Sequence, residues 1–277
     1  MAIARELLTR GPNIIGATGG SGTRAVARIV SDAGLFIGTD LNASEDALAL
    51  GAYSDRWINP FLSHRQGPLW PLLWVVMGLH LQIVLERHLA PLDGDLRPWG
   101  WKEPRSIYLL PFFHSRFPQL RFLQVVRDGR DMAFSSNQNQ LRRHGRRLLG
   151  PTPSSWSEPL RSIAVWNRIN LLAADYGQEK LGDRYLWIRF EDLCAQPTAT
   201  TRRILDFFGL SGDAEEIARR EVSPPATMGR WREQDPAILA GLHRIGAPAL
   251  QRFGYWAPPP QPIGCQPRPS ANTSVGV

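Results

Sequence analysis

Short apolar runs alternate with longer stretches of helical periodicity along most of this chain. The runs consist mainly of isoleucine, valine and leucine, as in strands that are buried on both faces of a parallel sheet. Between them, apolar residues recur with the three- and four-residue spacing of helices. The pattern therefore predicts an α/β fold with a central parallel sheet. We predict strands at residues 14–15, 35–38, 122–126 and 185–189, and helices at residues 24–31, 45–92, 155–180 and 197–209.

A glycine-rich stretch joins the first predicted strand to the first helix, with glycine at 16, 19, 20 and 22. Glycines let the backbone approach an anion closely, and the first helical turn offers unpaired N–H groups and the positive end of the dipole. Ser21 and Thr23 add hydroxyl donors. The stretch predicts an anion cradle, and the alternative is a tight strand-to-helix turn without a ligand.

The loop does not match the common nucleotide-binding patterns. A Walker A loop needs G-x-x-x-x-G-K-[ST], but Ser21 stands where the second glycine would be and the loop has no lysine. The dinucleotide pattern G-x-G-x-x-G does not fit either. Lysine occurs only at Lys102 and Lys180 among 32 basic residues. Lys102 therefore stands out as a compact donor that could neutralise or protonate a leaving oxygen.

A second polar pair follows the predicted strand at 122–126. Arg127 ends this strand, and Ser135 is predicted to lie inside the next helix, eight residues on. An arginine at a strand tip and a hydroxyl in the following helix can hold one phosphate from two sides. The alternative is that Arg127 pairs with Asp131 or Asp192.

These motifs, in this order, resemble those of sulfotransferases that use 3′-phosphoadenosine 5′-phosphosulfate (PAPS). The S-G-T of the loop and the R-x7-S pair of Arg127 and Ser135 are the nearest matches, and K-E-P, E-D-L and G-R-W support them over residues 13–256. The resemblance implies a three-layer, P-loop-like fold and transfer of a sulfuryl group from PAPS to a hydroxyl or amine, with no metal. The acceptor could be a small molecule, a glycan or a peptide.

The resemblance also assigns the donor site. The 5′-phosphosulfate would lie on the loop, and Arg127 and Ser135 would hold the 3′-phosphate. Gly20 occupies the place of the family's basic loop residue. The loop residues implied are Gly20, Ser21, Gly22, Thr23 and Arg24.

Two further segments resemble parts of the family's nucleotide site. Phe190 takes the place of a tyrosine that lies near the adenine, although core packing would explain it equally well. Arg230 and Trp231 belong to a G-R-W-R segment that resembles one closing over the nucleotide. The alternative for Arg230 is a surface ion pair with Glu233 or Asp235.

Three residues are the catalytic candidates by the same resemblance. Lys102 would stabilise the bridging oxygen of the breaking S–O bond. Asp40 is the leading general base, because its distance beyond the loop is similar to that of the catalytic glutamate in tyrosylprotein sulfotransferases. Glu103 is the second candidate, with an ion pair to Arg105 as its alternative.

Composition leaves other functions open. The 277 residues suit one domain at 1–256, followed by a proline-rich tail at 257–277 that we predict to be disordered. The net charge of +7 suits an anionic ligand, although nucleic acid or an acidic surface would explain it too. One alternative is a small-molecule kinase with Glu191 and Asp192 on Mg²⁺. The others are a non-catalytic protein that binds a 3′-phosphonucleotide and a nucleic-acid-binding protein that uses the arginines at 142–147. We do not expect nucleic acid as a partner.

The predicted location is the cytoplasm. Cys194 and Cys265 provide neither a disulfide framework nor a metal cluster, which indicates a reducing compartment. Charged residues interrupt the N-terminal apolar positions, so no signal peptide is predicted. Residues 69–85 form the most apolar stretch, but it is shorter than a membrane span of about 20 residues. Because it also contains Pro71 and His80, we predict a buried helix and no transmembrane segment.

Overall fold

The computed structural model describes residues 9–64 and 67–256, whose centre is a sheet of four parallel strands in the order β2-β1-β3-β4. The strands are β1 (Asn13–Ala17), β2 (Gly100–Lys102), β3 (Arg121–Val126) and β4 (Tyr185–Arg189). The α-helices of this part of the chain are α1 (Thr23–Asp32), α2 (Leu48–His64), α3 (Trp70–Leu89), α4 (Leu110–Arg116), α5 (Gly129–Ala133), α6 (Asn139–Leu149), α7 (Glu158–Tyr176), α8 (Phe190–Ala195), α9 (Pro197–Phe208), α10 (Ala214–Glu221) and α11 (Pro236–Arg252).

The sheet register brings three chain segments to one edge. In β1, Asn13 lies beside both Gly100 and Arg121. Because the strands are parallel, their carboxyl ends meet at the same edge, where ligands of open α/β sheets bind. Residues 18–22, Glu103 and Arg127 therefore leave the sheet side by side.

Two apolar clusters cover the two faces of the sheet. Successive side chains of a strand point to opposite faces. Accordingly, Ile14 and Phe122 belong to one buried cluster, whereas Ile15 and Leu123 belong to the other. The sheet is thus the middle layer of three, as the apolar pattern predicts.

Several predicted elements are confirmed, and one strand is wrong. β4 has the predicted bounds, β3 is longer by one residue and α9 begins at Pro197. The strand predicted at 35–38 is reduced to a single parallel bridge between Phe36 and Trp99. The cause is backbone geometry, because Gly34 and Gly38 flank the segment with φ of 90° and 106°, outside the extended region.

Several helix boundaries differ from the prediction, and the helix predicted at 45–92 is divided into α2 and α3. α2 begins at Leu48 rather than Glu45, because the side-chain oxygen of Asn42 accepts the N–H of Ser44 (2.7 Å) and of Asp46 (3.0 Å) and holds the chain in a turn. Helix α5 ends before Ser135, so this residue does not lie in the helix. The Gln138 amide donates to the carbonyl oxygen of Ser135 (2.8 Å) and helps to fix the non-helical chain there.

The apolar helix α3 is buried on one side only. Met77 and Leu81 pack into the core, whereas five large aliphatic side chains of the helix, and Leu69 just before it, are exposed. Among the described helices, the segment Trp70–Leu92 is long and apolar enough to cross a membrane, and 33% of its apolar window is buried. The prediction of a buried helix is therefore wrong for one face. The exposed side chains are Leu69, Leu72, Val75, Val76, Leu79 and Ile83. The predicted tail at 257–277 lies outside the described residues.

Candidate active site

The glycine-rich loop offers a continuous set of backbone donors. Gly20 and Gly22 have φ of 84° and 80°, and Gly22 caps α1 without a side-chain hydrogen bond. Within the described residues, the backbone N–H groups from Gly20 to Arg24 donate to no protein acceptor. Unpaired N–H groups in such a loop, at a helix N-terminus, form an anion-binding concavity. The geometry thus fits the predicted cradle.

The loop hydroxyls differ in their surroundings. Ser21 is fully buried, and its Oγ lies 3.1 Å from Oγ1 of Thr18. Its hydroxyl therefore stabilises the loop through a hydrogen bond with Thr18. Thr23 is buried at the start of α1. Arg24 is exposed and donates from Nη2 to Oγ of Ser44 (3.2 Å), across the mouth of the site.

Gly20 is the point where the predicted phosphate ligands converge. Arg127 Nη1 donates to the carbonyl oxygen of Gly20 (3.3 Å), and a Cβ added at Gly20 would lie 3.7 Å from Ser135 Oγ. The structure therefore brings Arg127 and Ser135 together beside the loop. The same added Cβ would lie 3.2 Å from Met132 Cε, and φ is positive. A basic side chain at this position would strain the loop, so the nearby positive charge comes from Arg127.

Arg127 is buried and held from several sides. Its Nη2 donates to Thr227, at 2.8 Å to the carbonyl oxygen and 3.1 Å to Oγ1, and lies 3.5 Å from Asp131 Oδ2. The ion pair with Asp131, the sequence-based alternative, is thus present, whereas Asp192 pairs with Arg189. Arg127 Nε has no partner among the described groups. One donor of this buried guanidinium is therefore unsatisfied within the described part of the protein.

Asp131 ties the late G-R-W-R segment to this site. Its carboxylate accepts the N–H of Gly229 (2.8 Å) and of Trp231 (3.3 Å). Arg130 lies over the Trp231 ring at 3.7 Å and fixes the indole from the other side. The segment therefore contacts the strand tip that carries Arg127, although about 100 residues separate them in sequence.

Arg230 turns inward from this segment. It donates to the carbonyl oxygens of Thr227 (3.1 Å) and Phe134 (3.3 Å), rather than to the surface carboxylates considered from sequence. Partial burial and the nearby charge of Arg127 lower the pKa of Arg230. Two guanidinium groups are thus held close together next to Ser135. Such a site favours a bound anion that would relieve their repulsion.

Phe190 is a core residue beneath the loop. It is 4% exposed, and a Cβ added at Gly22 would lie 2.1 Å from its ring. Arg127 Cζ lies 5.7 Å from the ring centroid. The packing alternative for Phe190 is therefore present. Its contact with adenine stays a prediction.

Lys102 is buried at the end of β2, with 1% of its side chain exposed. Its Nζ donates to the carbonyl oxygen of Ser44 (2.6 Å) and to Oδ1 of Asp46 (2.5 Å). Burial lowers the pKa of Lys102, and the Asp46 carboxylate opposes that shift. The lysine therefore reaches the site edge in a defined position beside Arg24, whose charge also lowers its pKa.

The turn at residues 42–46 presents Asp46, not Asp40, to Lys102. Asn42 Nδ2 donates to Asp46 Oδ2 (3.0 Å), so both oxygens of that carboxylate have partners. Glu45, with φ of 63°, completes the turn and pairs with Arg28 at 3.3 Å. Asp40 is exposed, and among the described residues the hydrogen bonds of Lys102 Nζ go to Ser44 and Asp46 instead. Its role as general base stays a prediction without a supporting contact.

Glu103 is the carboxylate that combines burial with access to the site. Its Oε1 accepts Arg105 Nε at 2.6 Å, so the predicted ion pair is present. Burial raises the pKa of Glu103, and the Asp46 charge adds to that shift while Arg105 opposes it. Oε2 has no hydrogen-bond partner among the described groups. This oxygen can accept a proton.

A cavity of ≈ 410 Å³ joins these parts. Gly19 of the loop lines one side, and Asp46 and Glu103 line another. Asn137, Asn139 and Gln140 close it from α6 and the turn before it. The cavity therefore extends from Gly19, next to the anion cradle, to the two carboxylates.

The sequence profile of the sulfotransferase family matches residues 38–214 of the 277. This chain belongs to the sulfotransferase family. The match begins after the glycine-rich loop, so the loop is interpreted from its own geometry. Among curated proteins, none matches the sequence.

Solved structures share the fold of this sulfotransferase. The sulfotransferase domain of the Synechococcus PCC 7002 olefin synthase has a TM-score of 0.52 at 17% identity, covering 90% of this chain and 96% of that one. A sulfotransferase from Alicyclobacillus acidocaldarius has a TM-score of 0.51 at 16% identity, with coverage of 88% and 94%. Mouse SULT7A1, complexed with PAP, has a TM-score of 0.51 at 14% identity, with coverage of 90% and 89%. The predicted P-loop-like fold is confirmed.

Sequence reasoning missed two residues that organise the site. Asp46 is not among the candidates named from the sequence, and Asp131 appears there only as a possible partner of Arg127. The signal for Asp46 is the N-x-S-x-D spacing, in which one asparagine can hold both later residues in a turn. For Asp131, the four-residue spacing indicates the pair with Arg127, but no local signal indicates Gly229 and Trp231, which are distant in sequence.

Proposed function

We propose that this sulfotransferase moves a sulfuryl group from PAPS to a hydroxyl acceptor bound in the cavity. The observation that carries the proposal is that the cavity is lined both by Gly19 of the anion-binding loop and by Glu103 and Asp46 beside Lys102. A donor on the loop and an acceptor in the cavity would meet at this junction.

The donor would be held by its two charged ends. The unpaired N–H groups from Gly20 to Arg24 suit the 5′-phosphosulfate. Arg127 and Ser135, which lie beside Gly20, and Arg230, which donates to the carbonyl oxygen of Phe134 next to Ser135, suit the 3′-phosphate. Asp131 already balances the charge of Arg127, so the net positive charge around the proposed 3′-phosphate site comes from Arg230.

The transfer would need positioned charge more than covalent help from the protein. The acceptor oxygen forms an S–O bond as the bond from sulfur to the 5′-phosphate oxygen breaks. Lys102 would neutralise the charge that grows on the departing phosphate oxygen. Fixed positive donors of this kind dominate group transfers through charge-dispersed transition states.

Glu103 is our choice for the general base. A base works best when its pKa lies near the working pH, and burial raises the pKa of Glu103 in that direction. Asp46 has both oxygens engaged, so it would position Lys102 rather than take a proton. The exposed Asp40 has no such contact.

The kinase alternative finds less support in the geometry. Glu191, one of the two carboxylates considered for Mg²⁺, accepts the N–H of Asp128 (3.0 Å) and the Tyr255 hydroxyl (2.7 Å). Asp192 pairs with Arg189 at 2.5 Å. Both side chains are therefore engaged in holding the fold around β4.

The test is calorimetric titration of the protein with 3′-phosphoadenosine 5′-phosphate (PAP), AMP, and ATP with Mg²⁺. We expect micromolar binding of PAP and much weaker binding of AMP, because only PAP reaches Arg127 and Arg230 with a 3′-phosphate. Binding of ATP with Mg²⁺ in preference to PAP would instead favour the kinase. A protein that binds none of the three would contradict the proposal.

A further inference from the structure

The lining of the cavity beside Glu103 contains many charged and amide side chains, mixed with small apolar residues. Ligand pockets are mostly lined by apolar and aromatic side chains. Here the described lining contains three carboxylates, two guanidinium groups and four side-chain amides, and no aromatic residue. The apolar part of the lining comes from Ala47, Leu48, Ala52 and Pro104, so a flat aromatic acceptor would find no aromatic ring to stack on.

The charges of the lining are paired with one another. Asp55 contacts both Arg105 and Arg143, and Arg105 also pairs with Glu103. Asp46 pairs with Lys102. With Lys102, which is buried and is not part of the lining, three positive groups balance the three carboxylates, so the cavity favours neither a strongly anionic nor a strongly cationic acceptor.

The amides of Asn137 and Asn139 keep donors and acceptors that suit hydroxyl groups. The other two amides are engaged within the protein, Asn42 with Ser44 and Asp46, and Gln140 with Tyr108 and Ala17. A side-chain amide offers both kinds of hydrogen bond, as a hydroxyl does. The Asn139 side chain is exposed and makes no hydrogen bond to another described residue. Asn137 Nδ2 lies 3.5 Å from the Cβ position of Gly19, so this amide borders the loop as well. Hydroxyls of one ligand could bind these groups while another reaches Glu103.

We propose that the acceptor is a neutral, polyhydroxylated molecule, namely a sugar unit of an uncharged glycan. This inference rests on the proposed function. One sugar hydroxyl gives its proton to Glu103, its oxygen forms the new S–O bond, and PAP leaves with the electron pair of the broken S–O bond. The neighbouring hydroxyls bind the amides and the charged pairs of the wall. The cavity volume of ≈ 410 Å³ lies within the usual range for small ligands.

The first experiment compares acceptor classes with radiolabelled PAPS. The acceptors are a library of neutral oligosaccharides, p-nitrophenol as an apolar aromatic, and desulfated heparin as a polyanion. We expect label in neutral oligosaccharides and not in the other two. Label in p-nitrophenol or desulfated heparin, with all neutral sugars unlabelled, would overturn the inference. The same holds if PAP binds, PAPS is slowly hydrolysed and no sugar is labelled.

The second experiment uses variants of the cavity wall. Asn139→Leu and Arg143→Leu should each raise the KM of the sugar acceptor about tenfold, the effect of one lost hydrogen bond. The Kd of PAP should not change. Arg142→Leu is the matched control, because Arg142 is exposed and pairs with Glu158 away from this cavity. Equal KM values in all three variants would contradict the inference, whereas loss of PAP binding in the unaltered protein would contradict the proposed function itself.

Discussion

Lys102 and Asp46 form a partly buried ion pair, with Nζ 2.5 Å from Oδ1, at the edge where β2 leaves the sheet. The lysine side chain is 1% exposed, so the carboxylate fixes its position and opposes the effect of burial on its pKa. The carboxylate is in turn held by Asn42. The turn at 42–46 therefore determines where the positive charge of Lys102 lies.

Replacing Lys102 should abolish turnover while the donor still binds. For Lys102→Met we expect kcat to fall about 10²–10³-fold, the usual effect of removing one preorganised donor to a developing negative charge. Lys102→Arg should not rescue it, because the larger planar guanidinium does not fit the buried position. Release of PAP from PAPS measures the rate, and calorimetry with PAP checks that binding changes by no more than a few fold.

Lys180 provides the matched control for Lys102. It is the only other lysine in the chain, and its exposed side chain pairs with Glu179. Lys180→Met should keep full activity. Equal rates for Lys102→Met and the unaltered protein would remove Lys102 from the mechanism.

Amide variants of the three candidate carboxylates, Glu103, Asp46 and Asp40, should differ in kcat. Glu103→Gln should lower kcat by about 10²–10⁴-fold, the usual contribution of a general base. Asp46→Asn should cause a smaller loss, because it acts through Lys102. Asp40→Asn should change little, since the side chain is exposed. Steady-state kinetics of the three proteins measures the order, and a large loss in Asp40→Asn alone would restore the assignment made from loop spacing.

Activity plotted against pH should give a bell-shaped curve that is narrower than the curve for a glutamate and a lysine with ordinary pKa values. Glu103 must be deprotonated to act, and burial raises its pKa above the ordinary 4.5, so the acid limb moves to higher pH. Lys102 must be protonated, and burial lowers its pKa below the ordinary 10.5, so the alkaline limb moves to lower pH. A profile of kcat/KM reports both groups in the free enzyme.

The Glu103→Gln variant tests the assignment of the acid limb. Its residual activity should no longer fall as pH decreases through the pKa of Glu103. An unchanged acid limb in this variant would show that another group is responsible.

Arg127 should discriminate between PAP and AMP. Arg127→Ala should weaken the binding of PAP by ~1.5–3 kcal/mol, the value of hydrogen bonds to a charged group. This corresponds to an increase in Kd of roughly 10–150-fold. AMP lacks the 3′-phosphate, so its affinity should change little. Calorimetry with both nucleotides checks this, and an equal loss for both would show that Arg127 only supports the loop through Gly20 and Thr227.

Sequence patterns predicted the fold because local features determine it. The alternation of Ile14 and Ile15, or of Phe122 and Leu123, between two buried faces is enough to indicate a sheet covered on both sides. Lys102 could be singled out because lysine is so rare in this chain. The position of Arg127 at the end of β3 follows from the length of the apolar run before it.

The partners within the site depend on contacts that local patterns do not encode. Distance from the loop could not distinguish Asp40 from Asp46, because the Asn42 side chain decides which carboxylate turns toward Lys102. The wall of the cavity likewise depends on Asp55, which meets Arg105 and Arg143 from distant parts of the chain. Helical periodicity places each residue on a face of a helix, but it does not say which faces meet.

Gly20 offers a test that separates backbone strain from donor binding. At φ of 84°, an alanine would cost ~1–2 kcal/mol, and its Cβ would also crowd Met132 between Arg127 and Ser135. Gly34→Ala is the matched control, because Gly34 has φ of 90° at the end of α1 and no atom within 4 Å of an added Cβ. Both variants should lower the Tm by a few degrees. Calorimetry should show weaker PAP binding for Gly20→Ala alone, and equal PAP affinity in both variants would mean that the loop around Gly20 does not contact the donor.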